Sequence, residues 1–213
     1  MARPSQAKEN LIQAASDLIW EFSYGSTSVD DICARAEVRK GSFYHFFESK
    51  AHLTLAAIEA AWSRALPRLE RIFSPETPPL ERFQRYAEFI LESQENCRAR
   101  SGHVCGCPLS TLGSEIGTFD EMIRAKIAGI FDHHRLFYES AIGDAARAGL
   151  IPPADVAFQA NTLQSCIQGA FTQARVRNDL APIRQLQRAL PLILGAALPP
   201  KLVEVGAPFP LSP

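Results

Sequence analysis

Long apolar runs are absent from this chain of 213 residues. A helix that crosses a membrane needs about eighteen or more consecutive apolar residues, and no stretch approaches that length. The first residues also lack the apolar core of a secretion signal. We therefore expect a cytoplasmic protein without a membrane partner.

The sequence signatures of common enzymes are missing as well. The chain has no Gly-x-Ser-x-Gly nucleophile motif, no His-Glu-x-x-His zinc motif, no phosphate-binding glycine loop with its lysine, and no dinucleotide glycine fingerprint. Strand-like alternation and internal repeats are absent too, whereas the apolar spacing of helices recurs along the chain. We expect an all-α protein that is not an enzyme, holds no metal and needs no cofactor.

An excess of positive charge is also missing. The chain carries 22 basic and 23 acidic residues, for a formal net charge of −1. Residues 1–53 show no surplus of Lys and Arg over Asp and Glu either. Broad nonspecific binding to nucleic acid is therefore not expected, and any basic patch must be local.

The most informative stretch of the chain is residues 26–50, which predicts two short helices joined by a tight turn. Ser28 is a good N-cap, and Asp31 three residues later completes an approximate capping box. The apolar face of the first short helix consists of Val29, Ile32, Cys33 and Ala36. This arrangement is typical of a helix-turn-helix unit that reads DNA.

The second short helix, roughly residues 40–47, is predicted to lie in the major groove. Phe43 and Phe47 point inward, while the other face carries cations, hydroxyl donors and a histidine. Gly41 would let the backbone approach DNA closely, and Lys50, behind the cap Ser49, could hold a phosphate at the next helix N-terminus. The candidate DNA contacts are Thr27, Ser28, Arg39, Lys40, Gly41, Ser42, Tyr44, His45 and Lys50.

The segment RKGSFYHFFESKAHL, preceded by TSVDDICARAEV, resembles the N-terminal domain of the TetR family of bacterial transcriptional regulators. The resemblance covers about fifty residues and implies that Tyr44 and its neighbours contact DNA and that Lys50 binds phosphate. Two positions depart from the family pattern. Glu37 stands where the turn usually has Gly and is expected to strain it, and Phe46 stands where a His is frequent.

The rest of the chain is divided by its proline and glycine residues. We expect a first helix over residues 5–23 with Gly25 as its stop, and a long helix from Ser49 that bends or ends just before Pro67. Further helices are predicted at residues 80–96, 118–148, 154–179 and 181–197, with a linker at 74–79 and a non-helical segment at 97–117. The predicted domains are a DNA-binding domain (1–50), a helical effector-binding and dimerisation domain (51–198) and a flexible tail (199–213).

Five cysteines, an odd number, are expected to remain thiols, without a structural disulfide framework. The segment around Cys105-Gly106-Cys107-Pro108 has three interpretations. Cys105 and Cys107 simply pack before a helix that starts at Pro108, or one is a reactive thiolate with a lowered pKa and Cys97 or the neighbouring cysteine as resolving partner. A metal site with Cys97 and His103 is the third, but it lacks zinc spacing. The string Gly-Cys-Pro-Leu resembles a segment of TetR-like ligand domains, some of which sense electrophiles.

Aromatic residues of the second domain are expected to form its core, and some of them to line a ligand pocket between helices. His134 and Tyr138 make an i, i+4 polar pair that is either a surface patch or a ligand contact. The candidate effector-binding or sensing residues are Trp62, Tyr86, Phe89, Cys105, Cys107, His134, Tyr138 and Phe171.

Two apolar stripes near the C-terminus are candidates for either a homodimer interface or the core. They contain Leu163, Ile167, Ala170, Ala174, Leu186, Leu190 and Ile193. Two copies of a helix-turn-helix would reach two operator half-sites about 34 Å apart. The sequence therefore predicts a dimeric DNA-binding transcriptional repressor, released by a small molecule or electrophile. The alternative is a helical protein-binding adaptor without DNA binding.

Overall fold

The computed structural model describes residues 4–153 and 155–197. In this part of the chain all regular secondary structure is helical. They are α1 (Pro4–Glu21), α2 (Val29–Arg35), α3 (Lys40–Phe46), α4 (Lys50–Ile72), α5 (Pro79–Ser101), α6 (Pro108–Ile116), α7 (Glu121–Arg147), α8 (Val156–Arg177), α9 (Ala181–Arg184) and α10 (Leu186–Ile193). The predicted all-α fold is confirmed. The tail predicted at 199–213 lies outside the described residues. None of these helices is long and apolar enough to span a membrane.

Local capping explains where α2 begins and ends. The Ser28 hydroxyl accepts from the Asp31 N–H, and the Asp31 carboxylate accepts from the Ser28 N–H, so the predicted capping box is present. At the other end the N–H of Val38 donates to Cys33 and that of Glu37 to Ala34, the pattern of a Schellman motif. Glu37 occupies the left-handed position of that motif.

Three predicted helix boundaries differ from the structure. Helix α1 ends at Glu21 rather than at residue 23, so Gly25 lies in the loop before α2 and not directly after the helix. Helix α4 does not end before Pro67 but continues to Ile72, and Leu69 and Ile72 are buried beyond the proline. The alternative, a bend before Pro67, stays a prediction. Helix α5 extends into the segment predicted as non-helical, ends at Ser101 and is capped by Gly102, which has a φ of 81°.

Helix α6 also falls in the segment predicted as non-helical. It begins at Pro108, with Cys107 as N-cap, as one interpretation of this segment expected. The single helix predicted at 181–197 is divided at Gln185 into α9 and α10. These differences matter because α5 and α6 bring the cysteine segment against the rest of the fold.

The buried residues form two clusters, and α4 contributes to both. The first joins α1, α2 and α3 with the start of α4, and it continues into α6 and the first half of α7. The second joins the end of α4 with α5, α8, α9, α10 and the second half of α7. Trp62 in the middle of α4 packs against both clusters. We call α1–α3 the headpiece.

Candidate DNA-binding surface and effector cavity

Helix α3 presents a polar face that is held in place by two buried phenylalanines. Phe43 is fully buried and Phe47 is 6 % exposed, and both belong to the headpiece core. On the opposite side Tyr44 is 56 % exposed. The other predicted DNA contacts that are exposed here are Arg39, Lys40, Gly41 and His45, and Ser42 is half-buried.

Lys40 is oriented by a contact with the preceding helix. Its Nζ lies 2.8 Å from an Asp30 carboxylate oxygen at the N-terminus of α2. This hydrogen bond and the negative charge of Asp30 raise the pKa of Lys40, so the ammonium stays protonated. A DNA phosphate would have to share this cation with Asp30.

Two of the predicted DNA contacts have structural roles in the loop before α2. Thr27 is only 2 % exposed, and its hydroxyl donates to the Ser23 carbonyl at 2.7 Å. The prediction that the Thr27 side chain contacts DNA is therefore wrong, because it lies inside the headpiece. Ser28 is exposed, but its hydroxyl is bound to the Asp31 carboxylate at 2.6 Å.

Lys50 stabilises the same loop. Its ammonium donates to the carbonyls of Tyr24 at 2.9 Å and Thr27 at 3.0 Å, and it lies 3.9 Å from the centre of the Tyr24 ring. Partial burial lowers its pKa. Two of its three N–H donors are occupied, so phosphate binding by Lys50 remains a prediction for the third.

The second candidate site is a cavity of about 180 Å³ lined by residues of α4, α5, α6, α7 and α8, which we call the inner cavity. Seven of the eight residues predicted to bind or sense an effector line it, although they come from five different helices. They are Trp62, Tyr86, Phe89, Cys107, His134, Tyr138 and Phe171. Cys105 does not belong to this site.

A larger cavity of about 480 Å³ adjoins the inner cavity and shares Phe89, Cys107 and Phe171 with it. We call it the outer cavity. Its far side is formed by α1 of the headpiece, through residues that include Asp17 and Trp20. The two cavities together therefore extend from the centre of the C-terminal helices to the DNA-binding domain.

The cysteines differ from the sequence expectation in two ways. Cys97 and Cys105 form a disulfide, so the prediction that all five cysteines are thiols is wrong for this pair. Cys107 is free, but burial raises its pKa even though hydrogen bonds from the start of α6 act in the opposite direction. The lowered pKa expected for a thiol at a helix N-terminus is therefore not found at Cys107.

Sequence reasoning missed three residues that connect the C-terminal helices to the headpiece. The Glu115 carboxylate accepts the N–H groups of Tyr24 and Gly25 in the loop after α1. Arg175 of α8 donates to the carbonyls of Trp20, Phe22 and Cys105, at the end of α1 and in the cysteine segment.

Trp20 completes this connection by donating from Nε1 to the Gly106 carbonyl at 3.0 Å. These contacts join residues 70 to 155 positions apart. No periodicity or local motif could have revealed them. We call Trp20, Glu115 and Arg175 the headpiece clamp.

The residues predicted as a dimer interface face the interior of the single chain. Leu163, Ile167, Ala174, Leu186 and Leu190 are each no more than 1 % exposed. Ala170 is also buried and Ile193 partly buried, and all seven belong to or pack against the second core cluster. The interpretation as dimer contacts is wrong for the six buried side chains, because they lie inside the second core cluster. For Ile193 it stays a prediction.

Comparison with known families supports the interpretation of both parts of the chain. Residues 11–57 match the family described as bacterial regulatory proteins, tetR family, and residues 79–189 match the C-terminal domain described as transcriptional regulator LmrA/YxaF-like. The chain belongs to the TetR family. Members of this family are DNA-binding transcriptional regulators. The interpretations as an enzyme and as a protein-binding adaptor are therefore both wrong.

Individual TetR-family relatives agree with this assignment. The chain is 27 % identical over 206 residues to the transcriptional repressor DhaR of a Mycobacterium species, covering 93 % of this chain and 96 % of DhaR. It is 35 % identical over 129 residues to the transcriptional regulator AcuR of Cereibacter sphaeroides, where the match spans only 60 % of this chain and 57 % of AcuR. The crystal structure of a regulatory protein TetR from Rhodobacter sphaeroides superposes with a TM-score of 0.75 at 28 % identity, covering 86 % of this chain and 96 % of that one.

Proposed function

We propose that this regulator is a cytoplasmic homodimeric repressor that binds a near-palindromic operator through α3 and releases it when an effector enters the inner cavity. The observation that carries the effector half of the proposal is the cavity itself. It lies between the helices, collects aromatic and polar side chains from five of them, and connects through the outer cavity to α1.

The DNA-binding half is tested at Tyr44, the large exposed residue of α3. Tyr44→Ala removes a side chain that is mostly outside the fold, and we expect a 5- to 150-fold loss of operator affinity, as for a direct base or backbone contact. The measurement is a titration on the promoter region beside the gene. Phe119→Ala, which removes an 89 % exposed aromatic far along the chain, is the matched control. Unchanged affinity in Tyr44→Ala would refute the assignment of α3.

Gly41 gives a second test, in which the free energy of unfolding and the operator affinity should change in opposite directions. A Cβ added at Gly41 meets no atom within 4 Å, so nothing in the protein requires glycine there. Gly41→Ala should raise the free energy of unfolding by up to about 1 kcal/mol, because alanine favours the helix. If α3 approaches DNA closely at this point, operator affinity falls.

The control for Gly41 is Gly129 in α7, where an added Cβ also meets no atom within 4 Å. Gly129→Ala should stabilise the fold by a similar amount and leave operator affinity unchanged. Equal operator affinities of Gly41→Ala, Gly129→Ala and the native protein would contradict a close approach at Gly41.

The headpiece clamp supports a route by which effector binding reaches DNA. Cys107 and Phe171 line both cavities, and the clamp residues Glu115 and Arg175 lie on the same two helices, α6 and α8. A shift of α6 or α8 would be transmitted to the end of α1, in addition to any movement of α4. Coupling of about 1–3 kcal/mol suffices to change operator affinity 5- to 150-fold.

The clamp is tested with Glu115→Gln, which weakens the two hydrogen bonds to the loop after α1. We expect faster amide exchange at Tyr24 and Gly25 and an altered operator affinity. Glu121→Gln at the start of α7 is the control, since that exposed carboxylate pairs with Arg124 alone among the described residues. If Glu115→Gln matches the native protein in both measurements, the clamp is not part of the route.

A second candidate input is thiol–disulfide exchange at Cys97 and Cys105. The specific observation is that the carbonyls of Cys105 and Gly106 bind Arg175 and Trp20 of the clamp. A dithiol reductant would convert the disulfide to two thiols and become oxidised itself, and this would loosen the segment that holds the clamp. The sensing pair would then be Cys97 and Cys105 rather than Cys107.

Operator titrations in dithiothreitol and in diamide test this input. Cys97→Ser should abolish any difference between the two conditions, whereas Cys107→Ser should retain it. If the native protein binds the operator equally in both conditions, thiol sensing is wrong and a reversible ligand remains the effector.

A further inference from the structure

The inner cavity contains no counter-charge for an ionised ligand. Its lining residues include no Asp, Glu, Lys or Arg. Its titratable groups are also neutral at pH 7: burial lowers the pKa of His134 to about 4 and raises the pKa values of Tyr86, Tyr138 and Cys107. A carboxylate or an ammonium group that entered this cavity would lose its hydration without gaining a partner ion.

Two buried phenols provide an unused hydrogen-bond donor. The hydroxyl of Tyr138 lies 3.0 Å from that of Tyr86, and the side chains are 2 % and 5 % exposed. The pair has two O–H groups, but the bond between them uses only one. Within the described residues the other O–H has no acceptor, and leaving a buried donor unpaired is unfavourable. A ligand acceptor such as a carbonyl oxygen would satisfy it.

His134 provides the complementary acceptor. Its Nδ1 lies 3.0 Å from the Ile130 carbonyl, which can only accept, so Nδ1 carries the proton. Because the ring is neutral, Nε2 keeps a free lone pair, and Nε2 has no hydrogen-bond partner among the described residues. The ring is partly buried and lines the cavity. The site therefore offers one donor and one acceptor.

The walls and the size of the inner cavity favour a flat ligand of one ring. Trp62, Phe89, Phe131 and Phe171 line it, and the Trp62 ring lies 5.1 Å from that of His134. Aromatic side chains stack favourably on other rings. A cavity of about 150 Å³ accommodates benzene, so the 180 Å³ here corresponds to one ring with small substituents.

We propose that the inner cavity binds uncharged one-ring aromatic carbonyl compounds that carry a hydroxyl group, with the carbonyl oxygen on the Tyr86–Tyr138 pair and the hydroxyl on Nε2 of His134. The effect of such a compound on DNA rests on the proposed function, whereas its binding to the cavity does not. The closing experiment measures the two separately.

The probes are 3-hydroxyacetophenone and 3-hydroxybenzoate, which have nearly the same shape but differ in charge at pH 7. Neither reacts with thiols, so the cysteines do not contribute. Calorimetric titration of the full chain should show the ketone binding at least about tenfold more tightly than the carboxylate. Equal affinities, or tighter binding of the carboxylate, would overturn the proposal.

The double variant Tyr86→Phe with Tyr138→Phe removes both hydroxyls while keeping both rings. Because a hydrogen-bonded pair is replaced by apolar groups of the same shape, the fold should be retained. Affinity for the ketone should fall roughly tenfold. Tyr24→Phe, which removes a phenol outside the cavity, should leave ketone affinity unchanged. A double variant that folds and binds the ketone as tightly as the native protein would contradict the proposal.

Operator titration with saturating ketone then tests the proposed function. Release of DNA supports both proposals. Ketone binding without any change in operator affinity supports the ligand class and refutes effector control through this cavity. Specific operator binding without ketone binding refutes the ligand class alone.

Discussion

Glu37 is a single residue that occupies a backbone conformation unfavourable for any side chain with a Cβ. It has a φ of 55° in the Schellman motif that ends α2, a region that favours glycine because a Cβ is crowded there. The sequence predicted strain at this turn from the absence of glycine. The left-handed backbone confirms the special conformation of the position.

Glu37→Gly should therefore raise the free energy of unfolding by about 0.5–1 kcal/mol. The gain is the crowding relieved in the folded state minus the greater flexibility of glycine in the unfolded chain. Urea unfolding of the full chain measures it. Glu37→Ala removes the charge but retains a Cβ, so it should give no such gain; equal stabilisation by both variants would show that charge is the cause.

Because His134 is partly buried, we expect the free energy of unfolding to depend on pH. Burial lowers its pKa in the folded state to about 4, below the usual value of 6.5, so the unfolded state binds its proton first as pH falls. Stability from this residue is fully present above about pH 6.5 and is lost as the pH falls towards 4, by up to about 3 kcal/mol.

Urea unfolding at pH 7 and at pH 4.5 measures this loss, and His134→Phe provides the comparison. The variant should lose less stability than the native protein over this range, because its unfolded state gains no proton at position 134. Identical pH dependence of the two proteins would mean that His134 titrates normally in the fold.

At the scale of elements, one buried arginine connects α5 with the preceding loop and with α7. Arg82 is 1 % exposed; its guanidinium donates to the Thr77 carbonyl at 2.8 Å, to the Pro75 carbonyl at 3.2 Å and to the Asp144 carboxylate at 2.6 Å. The hydrogen bond from Arg82 lowers the pKa of Asp144. No local pattern indicates this contact, because Arg82 and Asp144 are 62 positions apart.

Arg82→Met should lower the free energy of unfolding by about 2–4 kcal/mol, since it leaves two carbonyls without their donor and leaves Asp144 with Arg147 alone. Arg85→Met on the same helix removes an exposed i, i+4 pair with Glu81 and should cost less than about 1 kcal/mol. Thermal and urea unfolding compare the two. Similar losses in both variants would show that burial of Arg82 contributes nothing.

At the scale of the whole molecule, the face of α8 opposite the core leaves two large apolar side chains exposed. It contains Phe158, Asn161, Ser165, Gly169, Thr172 and Val176, which recur at helical spacing on one side. Phe158 is 68 % and Val176 80 % exposed. A Cβ at Gly169 meets no atom within 4 Å, so the monomer does not require glycine there. We place the proposed dimer contact on this face.

Gly169→Glu should separate the dimer without destabilising the monomer, because glutamate favours a helix more than glycine does but adds a charge to the contact. Sedimentation velocity measures the mass, and operator affinity should fall in parallel. Gly129→Glu on α7 is the matched control and should remain dimeric. If the Gly169→Glu protein is still dimeric, the dimer contact does not lie on this face of α8.

The sequence by itself determined the local features of this protein. The Ser28–Asp31 capping box, the inward Phe43 and the exposed Tyr44 depend on residues within one or two helical turns, so periodicity and capping rules predict them. The all-α class followed from such features, and the DNA-reading unit followed from them together with the resemblance to the TetR family.

Only the tertiary structure decided which face of each helix meets another helix. The stripe with Leu163 and Ile167 is core rather than interface, because an apolar stripe has the same periodicity in both cases. The seven cavity residues could be nominated from their chemistry, but their convergence in one cavity depends on five helices packing together. The headpiece clamp and the Cys97–Cys105 disulfide are likewise contacts across space, and no local preference of the chain encodes them.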